Sequence, residues 1–172
     1  ESRMESSSVP TDAELCGLAQ AVADETQRQR LMLVTAESCT GGWVAKTLTD
    51  LPGSSAWFDA GVVAYSYEAK QALLGVDPRI LERVGAVSEE IALEMVSGAL
   101  ARFGAGVAVA VTGVAGPGGG TPSKPVGTVW IAWKRRGGYA HAQSFHFDGD
   151  REAVRRQTVA AALIGLSKTL TE

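Results

Sequence analysis

The sequence has too little of several things for several functions. Its 172 residues include only two cysteines, Cys16 and Cys39. That is too few for a disulfide framework or a tetrahedral zinc site, so both thiols read as free in a reducing cytoplasm. No apolar run approaches the ~20 residues that a membrane helix needs. The first ten residues carry no basic–apolar–small signal pattern. Lys and Arg number 16 against 19 Asp and Glu, a net charge of −3, so no nucleic-acid or anionic-membrane surface is expected. Aromatic residues are 6% of the chain, which gives no base-stacking platform. No His/Cys/Asp/Glu set has metal-ligand spacing, and the expectation is no metal and no cofactor.

What is present is an ordinary globular balance, 45% hydrophobic and 20% charged, at a length suited to one domain. Glu1-Ser2-Arg3 before Met4 reads as a cloning remnant, residues 1–10 as a flexible segment and 11–172 as the domain. Thr11-Asp12-Ala13-Glu14 is a capping box, and Leu15, Leu18, Ala19, Val22 and Ala23 follow at helical spacing to about Arg28, with Cys16 taken as core. Leu31–Val34 has strand length and composition. After Glu37–Gly42 a helix from Trp43 ends at Leu51-Pro52-Gly53. Trp57–Tyr65 reads as a strand, Glu68–Leu74 as a short helix, and Asp77-Pro78 as the start of another. Ser88 caps a long helix whose apolar face runs from Ile91 to Phe103. Val107–Val111 is a buried strand followed by the glycine-rich Gly113–Gly120. Val126–Trp133 and Tyr139–Phe147 form a hairpin through residues 134–138, and Asp150 caps the last helix. The class is α/β, a three-layer α/β/α sandwich with a mixed sheet of about five strands. Strand order does not follow from the sequence.

Ligands in open α/β sheets gather beyond the carboxyl ends of strands, and two small-residue segments belong there. In the first, Ser38 ends a strand, and Thr40, Gly41 and Gly42 supply the first free amides of the next helix. Such a serine can attack a carbonyl whose developing charge falls on those amides. Helix capping alone accounts for the same residues and is the simpler reading. Cys39 is a rival nucleophile without a basic partner, because His141 and His146 lie on opposite faces of one strand. Lys70, near the start of its short helix, would have its pKa pushed down by the dipole, and Tyr65 could relay a proton or orient the pair. A solvated lysine and a packing tyrosine are the plainer alternatives. Gly113–Gly120 matches neither standard nucleotide fingerprint. Arg151, Arg155 and Arg156 crowd a helix start, which fits an anionic partner or surface ion pairs.

Several stretches, taken together and in order, resemble a known family. They are Thr35–Gly42, Pro52-Gly53-Ser54-Ser55, Tyr65–Lys70, Gly85-Ala86-Val87-Ser88, Thr112–Gly119, Lys124–Val129 and Gly149–Arg155. The chain is similar to the CinA C-terminal domain family, the nicotinamide mononucleotide deamidases, from Leu15 to Leu170. The resemblance implies a stand-alone amidohydrolase that converts nicotinamide mononucleotide to nicotinate mononucleotide and ammonia. It implies Ser38 as nucleophile, Lys70 as base and Tyr65 as the assisting residue. Thr40, Gly41, Gly42, Thr112, Gly113 and Gly116 would line the nucleotide pocket, with Arg151 near the substrate's anionic group. A homodimer or higher homo-oligomer is also implied. A nucleotide-sensing module without turnover, and an amidase for another small amide, are the alternatives.

Overall fold

The computed structural model describes residues 9–172, so the expectations for the N-terminal remnant and flexible segment fall, except at Val9 and Pro10, outside the described residues. Helix α1 (Asp12–Arg28) begins at Thr11, whose hydroxyl accepts from the Glu14 amide at 3.1 Å, as the capping box predicts. Strand β1 (Leu33–Glu37) leads to α2 (Trp43–Thr49), and β2 (Phe58–Val63) follows a short 3₁₀ turn. Helices α3 (Tyr67–Leu74), α4 (Pro78–Val84) and α5 (Glu89–Arg102) precede β3 (Val107–Gly113). The hairpin β4 (Thr128–Arg135) and β5 (His141–His146) leads to α6 (Arg151–Thr171).

The five strands form one mixed sheet in the order β2-β1-β3-β4-β5. β2, β1 and β3 are mutually parallel, β4 pairs antiparallel with β3, and β5 pairs antiparallel with β4. Alternation along β3 sorts the two faces. Val107, Val109 and Val111 join Leu15, Val22, Leu48 and Leu163 under α1, α2 and α6. Ala108 and Ala110 join Leu74, Leu81, Ile91 and Met95 under α3, α4 and α5. That is the expected three-layer sandwich. Among the described residues, no helix is long and apolar enough to cross a membrane.

Local readings change at several points. β2 spans Phe58–Val63 rather than Trp57–Tyr65, and β5 spans His141–His146 rather than Tyr139–Phe147. Cys16 is exposed, because α1 buries Leu15, Ala19, Val22, Ala23 and Thr26 and position 16 falls outside that stripe. β1 starts later than Leu31 and runs on to Glu37, since Thr35 and Glu37 are as buried as its apolar residues. β4 starts at Thr128, two residues after Val126, and continues to Arg135, which pairs with Val107. The α5 helix stops at Arg102, leaving Phe103 extended.

The register places the functional loops together. Glu37 at the end of β1 pairs with Val63 of β2 and Val111 of β3. Three segments, Ser38–Gly42, Ala64–Ser66 and the glycine-rich loop, therefore leave the sheet at one end. The helix α3 that follows β2 is seated against α5 through Gly98, where an added Cβ would stand 1.9 Å from the Leu74 carbonyl oxygen. Overpacking of that kind costs roughly 3 kcal/mol when backbone cannot move aside. Gly98→Ala is thus expected to lower the urea unfolding free energy by about 3 kcal/mol. Gly104→Ala, with nothing within 4 Å of the added Cβ, should stay within about 0.5 kcal/mol of wild type.

Candidate active site

Ser38 is held at the sheet's end by its amide, which donates to the Val111 carbonyl at 3.0 Å. Its side chain meets one cation. Lys70 Nζ lies 3.0 Å from Ser38 Oγ, 3.1 Å from the Ala64 carbonyl oxygen and 3.0 Å from that of Tyr65. Helix α3 delivers it, capped by Ser66, whose hydroxyl accepts from the Ala69 amide. Lys70 is 1% exposed and has no carboxylate partner among the described residues.

Burial holds the Lys70 pKa below its ordinary 10.5. The cause is desolvation of the ammonium by burial, beside the helix dipole that the sequence points to. The geometry suits the neutral amine. As a neutral amine, Lys70 would satisfy the Ala64 and Tyr65 carbonyls with its two N–H groups and turn its lone pair toward the Ser38 hydroxyl. A base with its lone pair aimed at a serine O–H is an activated-nucleophile arrangement.

Cys39 does not compete. It is 5% exposed, and burial pushes its thiol up to about 12, so no thiolate forms near neutrality. Neither His141, stacked on Trp133 at a 5.2 Å centroid distance, nor His146 hydrogen-bonds to the pair.

The turn after Ser38 departs from expectation in one important respect. The first amides of α2 are not free for a ligand. Glu37, 1% exposed, sends its carboxylate back to accept from Val44 N at 2.9 Å, Ala45 N at 3.0 Å and the Thr40 hydroxyl at 2.5 Å. Burial pushes the Glu37 carboxyl up, while those donors favour its charged form. The N-cap residue of α2 is Gly42, with φ 102° and no side chain, so the cap must come from elsewhere. That missing cap, with one acid five residues before it, was the signal in the sequence that could have revealed Glu37. Gly41 N donates to the Ser38 carbonyl at 3.0 Å. The amides of Cys39 and Thr40 donate to no other residue among those described.

The remaining predicted residues separate by role. Thr40 is 0% exposed, with its hydroxyl on Glu37. Thr112 is 1% exposed, and its hydroxyl donates to the Ala86 carbonyl at 2.9 Å. Both side chains are therefore engaged within the protein. Gly113 ends β3 against Cys39 and Val129. Arg151 donates to the Gly116 carbonyl at 2.7 Å and to the Tyr65 hydroxyl at 3.2 Å, tying the glycine-rich loop to the segment that holds Lys70. The Tyr65 hydroxyl thus sits on Arg151, and what Tyr65 gives Lys70 is its carbonyl. Gly41 and Gly42 open onto a 440 Å³ cleft with Trp43, Lys46, Arg155 and Arg156. A 540 Å³ groove between α1 and α6, lined by Leu18, Phe147 and Ile164, is apolar and contains none of these groups. Among the described residues, no three His, Cys, Asp or Glu side chains are placed to hold a metal ion.

The lowered Lys70 pKa has a consequence for stability. Between its folded value and 10.5 the unfolded chain binds a proton that the folded chain does not. Lys70 therefore contributes more stability as pH rises toward 10.5 and less as pH falls through that window. The unfolding free energy of wild type minus that of Lys70→Met should climb with pH below 10.5 and level off above it in urea titrations. A flat difference would show that Lys70 is protonated in the fold.

With this geometry in hand, the chain can be set beside known proteins. The CinA C-terminal domain profile matches residues 16–170. The nicotinamide-nucleotide amidohydrolase PncC of Pseudomonas putida is 54% identical over 155 residues, covering 90% of this chain and 96% of that protein. The protein of the same name from Escherichia coli K12 is 50% identical over 153 residues, covering 89% and 93%. The crystal structure of the competence/damage inducible protein CihA from Agrobacterium tumefaciens superposes with a TM-score of 0.88 at 45% identity, over 97% of this chain and 100% of that one.

Proposed function

The chain belongs to the CinA C-terminal domain family, and we propose that it is a nicotinamide-nucleotide amidohydrolase working through Ser38 and Lys70. Its substrate in this reading is nicotinamide mononucleotide, supported by half-identical relatives that carry that activity in their name. The observation that carries the mechanism is the buried 3.0 Å contact between Lys70 Nζ and Ser38 Oγ.

The neutral Lys70 takes the Ser38 proton as Oγ attacks the carboxamide carbon. Negative charge moves to the amide oxygen, which the unpartnered amides of Cys39 and Thr40 receive in place of the α2 amides that Glu37 occupies. The C–N bond breaks as the Lys70 ammonium returns its proton to the leaving nitrogen, releasing ammonia. A nicotinoyl ester remains on Ser38. Lys70, neutral again, takes a proton from water, whose oxygen attacks the ester carbon. The C–Oγ bond then breaks as the Lys70 ammonium returns that proton to Ser38 Oγ, and nicotinate mononucleotide leaves. The net change is one water consumed and one ammonia released, with no metal or cofactor.

In the same scheme Gly41, Gly42, Gly113 and Gly116 line the nucleotide path with backbone. Arg151, beside Gly116 and partly exposed to solvent, faces the anionic part of the substrate. Thr40 and Thr112 shape the wall without offering their hydroxyls.

Ammonia release from nicotinamide mononucleotide tests the reading. Wild type should turn over, while Ser38→Ala and Lys70→Ala, still folded by circular dichroism, should each lose ~10³-fold or more in kcat. Full activity in Ser38→Ala would remove the serine mechanism, and an inert wild type that binds the nucleotide would leave a sensing module. Tyr65→Phe keeps the carbonyl that Lys70 uses and loses only the contact to Arg151. It should therefore hold kcat within about tenfold of wild type, with the larger change in KM. A kcat loss matching that of Lys70→Ala would place the hydroxyl in the proton path.

A further inference from the structure

Three arginines stand at the start of α6, and their partners differ. Arg156 is neutralised by Asp12 and Glu152. Arg151 bridges Gly116 and Tyr65. Arg155 has no carboxylate partner among the described residues and instead donates to two consecutive carbonyls of the nucleophile turn. Its Nε lies 3.1 Å from the Cys39 oxygen and its Nη2 3.1 Å from the Thr40 oxygen. The guanidinium is steadied over Trp43, 5.6 Å from the ring centroid. Room for it comes from Gly41, where an added Cβ would stand 3.2 Å from Nη2.

The planarity of the peptide bond gives this contact its meaning. In a trans peptide the C=O of one residue and the N–H of the next point in opposite directions. A guanidinium on the Cys39 oxygen therefore turns the Thr40 N–H away from Arg155. The Thr40 oxygen accepts from Arg155 and also from the Trp43 amide at 3.1 Å, which turns the Gly41 N–H the same way, and that amide is found on the Ser38 carbonyl at 3.0 Å. A charged donor on a carbonyl also polarises the amide of the same peptide and makes its N–H the stronger donor. From the other side, the Glu37 carboxylate holds the Thr40 hydroxyl. The Thr40 amide is left turned away from Arg155, polarised and without an acceptor among the described residues.

We infer that Arg155 is a positioning residue for catalysis, orienting and polarising the Cys39–Thr40 peptide so that the Thr40 N–H receives the substrate's developing oxyanion. This rests on the proposed serine mechanism. It assigns Arg155 to the transition state rather than to the phosphate of the nucleotide. A contact that matters only when the oxyanion forms changes kcat and leaves KM alone, whereas an anion contact to the bound nucleotide does the reverse.

The experiment combines kinetics on nicotinamide mononucleotide with amide NMR of the substrate-free protein, for wild type, Arg155→Lys and Arg155→Met. Losing one oxyanion donor outright costs 10²–10³-fold, so weakening one should lower kcat about 30-fold in Arg155→Met with KM within about threefold. Arg155→Lys, which restores a single charged donor, should recover part of that loss. The Thr40 amide resonance should move upfield in Arg155→Met, because its peptide has lost a charged hydrogen bond, while resonances in the remote β5 strand stay in place. A tenfold or greater rise in KM with kcat unchanged would overturn the inference and make Arg155 a substrate anchor. If Arg155→Met does not fold, the same two readings on Arg155→Lys decide, with smaller changes of the same sign. If wild type releases no ammonia, the proposed function fails on its own. The NMR reading then still stands as a test, and an unmoved Thr40 amide overturns the inference.

Discussion

A lysine ammonium with no carboxylate beside it does not belong in a protein interior, and much of this molecule's local architecture is arranged around one. Lys70 is 1% exposed, and its partners are two carbonyls and a serine hydroxyl. Burying a charge without a counter-charge is costly, and that desolvation holds the Lys70 pKa below its ordinary 10.5. The same desolvation that penalises the ammonium favours the neutral amine, 3.0 Å from the Ser38 hydroxyl. Several features exist to hold it there. Ser66 caps the helix that carries it, and the Ala64 amide extends the β1–β2 pairing by donating to the Glu37 carbonyl at 2.9 Å. Gly98 allows α5 to pack directly on the carboxyl end of α3.

The nucleophile turn is held by charges of opposite sign at its two ends. Glu37 accepts from the amides that open α2, and Arg155 donates to the Cys39 and Thr40 carbonyls. Neither residue touches the other. Between them they hold the first α2 amides and two carbonyls of a tight, glycine-rich turn, and leave the Cys39 and Thr40 amides without acceptors among the described residues. Adjacent side chains on this turn also meet different surroundings. Ser38 faces an amine, while Cys39 is turned into apolar packing against Gly113 and Val129, where its thiol stays protonated. The intrinsically stronger nucleophile is silenced by one step along the chain.

The fold was largely readable because period and punctuation report local structure directly. The Thr11 capping box, the Ser88 and Asp150 caps and the apolar stripes of α1, α5 and α6 all appear where those signals place them. The misreadings share a physical cause. Apolarity ends a strand too soon when polar residues within it are buried, as Thr35 and Glu37 are. A helical stripe admits Cys16 when spacing is counted loosely, although the neighbouring layer covers only the side with Leu15 and Ala19. The site was harder to read. Ser38 and Lys70 are 32 residues apart, and nothing local to either distinguishes a catalytic pair from a cap and a surface cation. Family resemblance named them, and parallel pairing of β1 with β2 brings them together.

Thr40 and Thr112 teach a different point about recognition. Both were read as ligand contacts, and both have their hydroxyls committed inside the protein, to Glu37 and to Ala86. A substrate at this end of the sheet would meet backbone at Gly41, Gly42 and Gly116, with the guanidinium of Arg151 beside them. Backbone cannot be exchanged by substitution, and glycine brings it closest to a ligand. The buried threonines fix where that backbone lies. In a site built this way, selectivity would come from the shape of the path and the direction of its amides, set by residues whose side chains are committed inside the protein.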